Sequence, residues 1–349
     1  MLYPLVFIHE LGHFLAAKKA GIKVEEFGLG YPPRLFGIKR GETIYSINAV
    51  PFGGFTNVYG LEEIEKRGKK GAGERRAFWA KSKKARALVL SAGILMNFLL
   101  AIVLFSLVYS IMGVPKKQGF VEIIGITKDS PAEKAGIKEA DIVVNFSNNE
   151  AFVGFVNENL DKEISLELER QGVTLSVVVV PRKESPEGEG PLGVIISDSK
   201  LVQPPLWQRP FLSLWLGAKE AVSWLVAVVL GVGGVMFNFF FKGVIPKDIT
   251  GPIGIVQVAT HVAKRGVVSL LQFVAILSVN LSVLNLLPIP ALDGGRLLFL
   301  GVEAVTGKKP RPIVEKWINT IGMIFLLLLM LAVTIQDIKR ILGPTPWPF

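Results

Sequence analysis

Long apolar runs without charged residues constrain this chain more than any other feature. Ala87–Val114 and Gly266–Leu292 contain no Asp, Glu, Lys or Arg. A helix needs about 20 apolar residues to cross the hydrocarbon core of a bilayer. Because half of the 349 residues are hydrophobic and the mean hydropathy is +0.46, these runs predict a polytopic α-helical membrane protein.

Four crossings are predicted in all. The other two are Leu2–Ala20, which polar residues interrupt, and Trp317–Ile335. A fifth run, Ala221–Phe241, is also uncharged, but its three glycines weaken a straight helix.

Charge bias assigns the loops to the two sides of the membrane. Lys and Arg outnumber Asp and Glu by 14 to 7 in residues 23–86 and by 5 to 2 in residues 296–316, whereas residues 116–209 have 11 against 15. Because cytoplasmic loops carry the excess of positive charge, the first and third loops are predicted to be cytoplasmic and the middle loop external. An odd number of crossings must separate the last two loops, so Ala221–Phe241 is predicted to be interfacial or re-entrant.

The position of the basic residues also bears on possible partners. The net charge is +10, but Lys and Arg cluster beside the apolar runs, which indicates a membrane surface and no nucleic acid. The chain has no Cys, which excludes disulfide bonds, thiolate metal sites and Cys nucleophiles.

A small folded domain is predicted between the second and third crossings. Short alternating runs such as Ser165–Leu168 and Thr174–Val180 are typical of strands that need partners. Ser130 is predicted to cap a helix that has Pro at its first position and Glu133 at its third. Lys183–Gly190 is rich in charge, Pro and Gly, and predicts a loop or linker.

Gly41–Gly60 alternates with the period of a strand and has turn residues at Pro51, Gly53 and Gly54. It is apolar enough to enter the membrane surface. Backbone at that depth must be paired or must line a cavity.

The pentapeptide His9-Glu10-Leu11-Gly12-His13 is the strongest sign of chemistry. In a helix the two imidazoles share one face, with Cβ atoms about 5–6 Å apart, and both can reach one zinc ion. Glu10 can then act as general base on water. Such a pattern also arises by chance, or as a polar cluster between helices. Zinc is favoured because two of the three His fall here, in an apolar segment where charged groups are costly.

One protein ligand of a catalytic zinc site is left to find. His261 lies beside Arg265, at the far end of the third predicted crossing. Asp293 is the better candidate, because it follows that crossing on the side where the first crossing also ends. Two prolines before Asp293 break the helix, and two glycines after it let the carboxylate turn inward. A helix cap or turn residue is the alternative role for Asp293.

Asn280 and Asn285 lie in the third predicted crossing, where a buried amide needs a partner. Either can donate a hydrogen bond to a substrate carbonyl or its oxyanion. Hydrogen bonding between helices is the alternative, and it is less favoured for Asn285.

These motifs together resemble the site-2 intramembrane zinc metalloproteases of the bacterial RseP/RasP type. The resemblance covers nearly the whole chain. It rests on HELGH at His9–His13, SAGILMNF at Ser91–Phe98, GPIGI at Gly251–Ile255, SVNLSVLNLLPIPALDGG at Ser278–Gly295 and a PDZ-like pattern at Gly119–Arg182.

The resemblance implies roles for particular residues. His9, His13 and Asp293 would be zinc ligands and Glu10 the catalytic base. Asn285 would bind the substrate backbone or stabilise the oxyanion.

The resemblance also implies how substrates bind. The loop Gly41–Phe55 would be a membrane-associated β-hairpin, to which the unwound substrate adds as a strand near Gly53, Gly54 and Phe55. The PDZ-like domain would lie outside and dock or filter substrates. Family substrates are single-span membrane proteins, such as anti-sigma factors, and remnant signal peptides.

The predicted fold is thus a polytopic α-helical membrane protein with about four transmembrane helices, a membrane-associated β-hairpin and one inserted PDZ-like α+β domain. The predicted parts are an N-terminal membrane half, the PDZ-like domain, a linker with the interfacial or re-entrant segment, and a C-terminal membrane half. Their boundaries are residues 1–114, 115–185, 186–265 and 266–349. Ala140 stands where the family usually has Gly, and Ser147-Asn148-Asn149 replaces an Asn-Gly turn, which predicts an altered peptide groove.

The sequence therefore predicts a zinc endopeptidase of the bacterial inner membrane, with its site towards the cytoplasm. A catalytically inactive adaptor that binds clients through the PDZ-like domain is the alternative, although an adaptor needs no such ligand set. A transporter would show paired internal repeats. A membrane-anchored zincin acting on soluble proteins would more often take its third ligand from a later helical Glu or His.

Overall fold

The structure is a computed structural model that describes residues 2–61, 74–186, 188–242, 251–308 and 311–342. The chain divides into two compact units. Met1–Ile111 with Pro210–Phe349 form the membrane unit, and Met112–Arg209 form the sheet unit. Residues 62–73 of the predicted first loop, and residue 187 of the predicted loop or linker Lys183–Gly190, lie outside the described residues.

The described residues of both units form α-helices and β-strands. In chain order they are α1 Leu2–Lys19, β1 Val24–Arg40, β2 Thr43–Val58, α2 Lys83–Met112, β3 Val114–Ile126, α3 Pro131–Lys134, β4 Ile142–Val143, α4 Asn149–Glu158, β5 Ile164–Arg170, β6 Val173–Val179, β7 Val194–Val202, α5 Arg209–Lys242, α6 Pro252–Lys264, α7 Val267–Leu286, α8 Asp293–Thr306 and α9 Pro312–Leu342.

Four helices in the described part of the chain are long and apolar enough to cross a membrane, namely α2, α5, α7 and α9. Three of them overlap the second, third and fourth predicted crossings, although α2 ends at Met112 and α7 ends at Leu286, before the predicted ends at Val114 and Leu292. The first predicted crossing forms α1, whose Glu10, Lys18 and Lys19 lower its hydropathy. The combination of apolar helices and strands fits a membrane protein with an added sheet domain.

The run Ala221–Phe241 lies inside α5, which is one helix of 34 residues. The prediction of a re-entrant turn in Ala221–Phe241 is wrong, because the helix continues through all three glycines of this run. At 1.5 Å per residue α5 is about 51 Å long, which exceeds the roughly 30 Å of a bilayer core. Ala221 packs in one core with Ala101 of α2 and Ala275 of α7. The length of α5 is sufficient for a full membrane crossing. The charge bias of the loops, in contrast, requires an odd number of crossings between residues 209 and 296, and α7 already supplies one.

Helices α2 and α7 run antiparallel and are joined by two hydroxyl groups. Ser278 donates from Oγ to the Asn97 carbonyl at 2.8 Å, and Ser282 donates to the Ile94 carbonyl at 2.7 Å. Later residues of α7 therefore meet earlier residues of α2. The carboxyl end of α7 consequently lies towards the amino end of α2, where the chain then breaks before α8 as its prolines predict.

Strands β1 and β2 form a hairpin that is wider than the predicted loop Gly41–Phe55. Its turn is at Gly41-Glu42. Residues 26–29 of β1 pair with residues 44–47 of β2 and also with residues 54–57. The predicted turn near Gly53 therefore carries β2 from one side of β1 to the other. Sequence reasoning missed residues 24–40, whose Gly and Pro content hides the strand.

Near its turn, this hairpin buries polar side chains and exposes apolar ones. Thr43, Ser46 and Asn48 are buried, whereas Ile47 and Phe36 are 51% and 60% exposed. The buried side chains are paired: Thr43 donates to the Val24 carbonyl at 2.8 Å and Asn48 to the Gly30 carbonyl at 3.1 Å. Exposed apolar side chains over a buried polar interior fit a lipid-facing hairpin.

The sheet unit contains a five-stranded antiparallel sheet in the order β6-β5-β4-β3-β7. The predicted strand Ser165–Leu168 lies within β5, and the predicted strand Thr174–Val180 matches β6 to within one residue at each end. Ser130 caps α3 by accepting from the Glu133 backbone N–H at 3.2 Å, also as predicted.

The boundary predicted at residue 185 is wrong. β7, Val194–Val202, pairs with β3 and completes the sheet, so the unit extends to Arg209 and residues 186–265 do not begin as a linker. The alternation in β7 is weak because it is an edge strand, and no sequence pattern showed that it pairs with a strand some 80 residues earlier.

Asp141 is fully buried in the sheet unit and gives its stability a dependence on pH. Burial raises the pKa of Asp141, but two hydrogen bonds from Arg170, both at 2.7 Å, and one from the Lys138 N–H outweigh it, and the pKa is lowered. Because the pKa of Asp141 is lower in the folded chain than in the unfolded chain, the ionised carboxylate stabilises the fold at pH values above the ordinary pKa of 3.8. This stabilisation is lost as the pH falls below 3.8.

We therefore expect the protection of β4 and β5 amides from hydrogen exchange, corrected for intrinsic rates, to fall as pH drops from about 5 to about 3. Arg170→Gln should flatten this dependence. Equal pH dependence in wild type and Arg170→Gln would contradict the assignment to this ion pair.

Ala140 adopts a left-handed conformation, with φ of 68°, and its side chain is exposed. A Cβ in this region costs about 1–2 kcal/mol, and replacing Ala140 by Gly removes that cost. Because Gly also increases the conformational entropy of the unfolded chain, part of the gain is lost, and Ala140→Gly should stabilise the sheet unit by about 0.5–1 kcal/mol. Denaturant unfolding measures the change. The matched control is Glu139→Gly in the same turn, which should destabilise; equal effects would refute the explanation.

Candidate metal centre

Helix α1 places two imidazoles on one face because His9 and His13 are four residues apart. Their Nε2 atoms are 3.2 Å apart, and both side chains are buried. The helix continues through both residues, so the pair is held by regular backbone. This arrangement is the one that the pentapeptide predicts.

Asp293 reaches the same point from the other end of the chain. Its Oδ2 lies 3.1 Å from His9 Nε2 and 3.0 Å from His13 Nε2. The turn that delivers it needs small residues, because a Cβ on Gly294 or Gly295 would overlap the carbonyl oxygens of Leu287 and Ile289. The structure thus brings the three predicted ligands together.

His261, the other candidate, lies elsewhere in the membrane unit. It is on α6, is exposed, and its Nδ1 lies 3.0 Å from the Gln257 carbonyl of the preceding turn. This hydrogen bond within α6 therefore gives His261 a structural role that requires no metal ion.

The donor set fits zinc. Two imidazole nitrogens and a carboxylate oxygen are zinc ligands, and two atoms at about 2.0–2.1 Å from a tetrahedral ion lie about 3.3 Å apart. The three observed separations are 3.0–3.2 Å. Three protein ligands leave one position for water or substrate, which is the pattern of catalytic and not structural zinc sites.

Helix α2 forms the wall behind the imidazoles. The Val89 carbonyl lies 2.8 Å from His13 Nδ1, so Nδ1–H donates there and Nε2 faces the other ligands. Gly93, one turn later, leaves the space that the rings occupy, because a Cβ there would lie 2.7 Å from His9 Cε1 and would overlap His13 Nε2.

A cavity of about 370 Å³ opens beside the three ligands. Glu10 lines it, next to the ligands on α1, and β2 forms the facing wall with Gly54, Phe55 and Thr56. Thr56 donates from Oγ1 to the Glu10 carbonyl at 3.0 Å, which fixes this part of β2 against α1. The cavity can therefore hold a peptide between the ligands and a strand edge.

The two predicted asparagines, Asn280 and Asn285, differ in their position relative to the cavity. Among the described residues that line the cavity is Asn285 but not Asn280. Five residues turn an α-helix by about 500°, which places the two side chains about 140° apart around α7. Contact between Asn280 and substrate is therefore not supported. Gly53 is not among the residues that line the cavity. It has a φ of 97°, and a Cβ there would lie 2.6 Å from the Tyr31 ring.

Sequence reasoning missed Tyr31, which lines the cavity, and Gly93 and Asn97, which contact the imidazoles. A signal for the last two existed. They are a Gly and an Asn four residues apart in the uncharged run Ala87–Val114. Tyr31 had no such signal, because its strand was not recognised.

Ion pairs tie the hairpin turn to the end of α1. Glu42 accepts from Arg76 at 2.7 Å and from Lys18 at 2.9 Å, and these two cations lower its pKa to about 2. Glu42 therefore stays ionised at neutral pH and holds the turn near the basic end of α1.

Comparison with known proteins places this geometry in a family. The sequence pattern of peptidase family M50 matches residues 1–329. The regulator of sigma-W protease RasP of Bacillus subtilis is 31% identical over 417 aligned positions, which cover 97% of this chain and 96% of the relative. The zinc metalloprotease RasP of Geobacillus kaustophilus is 32% identical over 414 positions, covering 96% and 95%.

The close approach of α2 yields a prediction. Gly93→Ala should weaken zinc binding by at least about tenfold, because the new methyl group displaces both imidazoles. Zinc content of the purified full chain, measured against a chelator series, checks it. Gly231→Ala on α5, where a Cβ meets nothing within 4 Å, is the matched control. Unchanged zinc affinity in Gly93→Ala would contradict the described packing.

Proposed function

We propose, since the chain belongs to peptidase family M50 and is a site-2-type zinc metalloprotease of a bacterial membrane, that it hydrolyses peptide bonds of single-span proteins within the bilayer. One observation carries the proposal. The three ligand atoms, Glu10 and one edge of β2 meet at a single cavity.

His9, His13 and Asp293 are the proposed zinc ligands. When bound, zinc makes water acidic enough to act as a nucleophile near neutral pH and polarises the substrate carbonyl. Glu10 is the proposed general base, which takes a proton from the attacking water and delivers it to the leaving amine. Its position next to His9 on α1 and on the cavity wall supports this role.

Asn285 is proposed to donate its side-chain amide to the substrate carbonyl as negative charge develops there. Its half-buried position on the cavity wall, at the end of α7, supports this role. A fixed donor at such a site contributes more than a donor in water, because it needs no reorganisation during the reaction.

Residues 54–56 of β2 are the proposed binding edge for substrate. They pair with β1 on one side and line the cavity with Glu10 on the other. A peptide bond inside a helix is shielded by its own hydrogen bonds, so the substrate must be extended before attack. Pairing with a strand edge replaces the lost helical bonds.

The site is proposed to lie towards the cytoplasm. Gly93 is ten residues from the start of α2, about 15 Å along the helix. That start carries Lys83 and Lys84, and α1 ends with Lys18 and Lys19. Since basic ends face the cytoplasm, the three ligands lie in the cytoplasmic half of the membrane.

The sheet unit is proposed to be PDZ-like and external. An apolar groove of about 110 Å³ lies between α4 and β7 and contains Phe152, Val156 and Leu192. A groove between a helix and a strand edge suits an extended peptide. The unit would dock or filter substrates before they reach the membrane site.

Anti-sigma factors and remnant signal peptides are the proposed substrates, by analogy with the family. The regulator of sigma-W protease among the relatives is consistent with the first class. An inactive adaptor is not favoured, because Glu10 and all three ligands are in place.

Loss of the base gives a direct test. Glu10→Gln should lower the cleavage rate of a single-span reporter in vesicles by about 10²–10⁴-fold, because the amide cannot take the proton, and should leave zinc content unchanged. Glu25→Gln, a partly buried carboxylate of β1 that pairs with Lys23, is the control. Retained cleavage by Glu10→Gln would refute the proposed mechanism.

Strand addition has a test that uses the absence of native Cys. Phe55→Cys in a Glu10→Gln chain should form disulfides with a series of single-Cys reporters at every second substrate position, because side chains of a paired strand alternate. A period near 3.6 residues would show a helical substrate and exclude strand addition. Leu327→Cys, exposed on α9, is the control and should show neither period.

A further inference from the structure

Helix α2 contributes more to the metal centre than space. Three of its residues at successive turns, Val89, Gly93 and Asn97, face the two imidazoles of α1. Val89 orients His13 through its carbonyl, and Gly93 gives both rings room. The contact between Asn97 and His9 has no role in the reaction described so far.

Asn97 is a buried polar residue whose side-chain amide is only partly hydrogen-bonded. Its side chain is fully buried inside an apolar helix, where an amide needs partners. The Nδ2 atom lies 3.4 Å from His9 Nδ1, and Oδ1 has no hydrogen-bond partner among the described residues. A fully buried amide oxygen without a partner costs about 1–3 kcal/mol.

One rearrangement gives this oxygen a partner and also suits metal binding. For Nε2 of His9 to bind a metal, it must be unprotonated, so the ring proton resides on Nδ1 and needs an acceptor. A half-turn of the Asn97 amide exchanges Nδ2 and Oδ1. The unpaired oxygen then takes the place next to Nδ1–H.

We propose that Asn97 is a positioning residue for His9, whose amide oxygen accepts from Nδ1–H and holds Nε2 towards the metal. This inference rests on the proposed zinc site. The two imidazoles then have equivalent support from one helix: the Val89 carbonyl for His13 and the Asn97 amide for His9, eight residues apart on α2. Partners of this kind fix both the tautomer and the ring orientation of a ligand.

The competing explanation is that Asn97 only joins helices. Its backbone carbonyl does accept from Ser278 of α7 at 2.8 Å. That bond involves the main chain and not the amide side chain, so the two functions can be separated. Ser278→Ala removes this hydrogen bond between α2 and α7 and leaves His9 untouched.

The test is zinc affinity of the full chain in detergent, measured by competition with a chelator of known affinity. Asn97→Ala and Asn97→Leu remove the acceptor, the second at nearly constant volume, and should each weaken zinc binding by about 10- to 100-fold. Asn97→Asp keeps an acceptor and should stay within about threefold of wild type, as should Ser278→Ala, since neither removes the partner of Nδ1–H.

Two results would overturn the proposal: wild-type affinity in Asn97→Leu or Asn97→Ala, or an Asn97→Asp chain that binds zinc as weakly as they do. If neither truncation folds, as judged by helical circular dichroism, the Asp variant decides alone, and a loss beyond about tenfold refutes the role. His13→Ala separates the two levels of the argument. Zinc binding by wild type that does not depend on His13 would refute the metal site itself.

Discussion

The cost of placing ionisable groups among apolar helices governs this structure. Two imidazoles and a carboxylate meet in the interior of the membrane unit, with ligand atoms 3.0–3.2 Å apart. Such groups cost several kcal/mol in hydrocarbon unless they share partners. Sharing one metal ion is an arrangement that satisfies all three together, and the elements around it are shaped by that need. The tight turn before α8, the glycine on α2 and the Val89 carbonyl each serve to bring or hold one ligand.

The same cost explains the reversed polarity around the site. In the hairpin, Ser46 and Asn48 are buried while Ile47 and Phe36 are exposed. α8 repeats the pattern: Glu303 is buried in a two-bond ion pair with Arg86, and Val305 is 89% exposed. Both elements therefore fit an environment in which polar groups are satisfied internally and apolar side chains meet lipid.

The buried ion pair that stabilises the sheet unit and the proposed catalytic site lie in different units of the chain. The sheet unit has its own apolar core and its own buried ion pair between Asp141 and Arg170. The chemistry lies in the membrane unit, where the cavity is bounded by α1, β2 and the start of α8. In the proposed function, a strand edge next to the ligand atoms gives an extended peptide both a place to pair and a place to react.

The sequence by itself determined the groups of the site and most helices. A His pair at a spacing of four is on one face of any helix, and a Pro-rich break before Asp293 must end α7, because these are local properties of the chain. Tertiary structure alone decided the pairings over long distances. That β7 joins β3, that residues 26–29 pair on both sides, that Asn285 and not Asn280 faces the cavity, and that Asn97 contacts His9 follow from packing between distant segments, which no local pattern records.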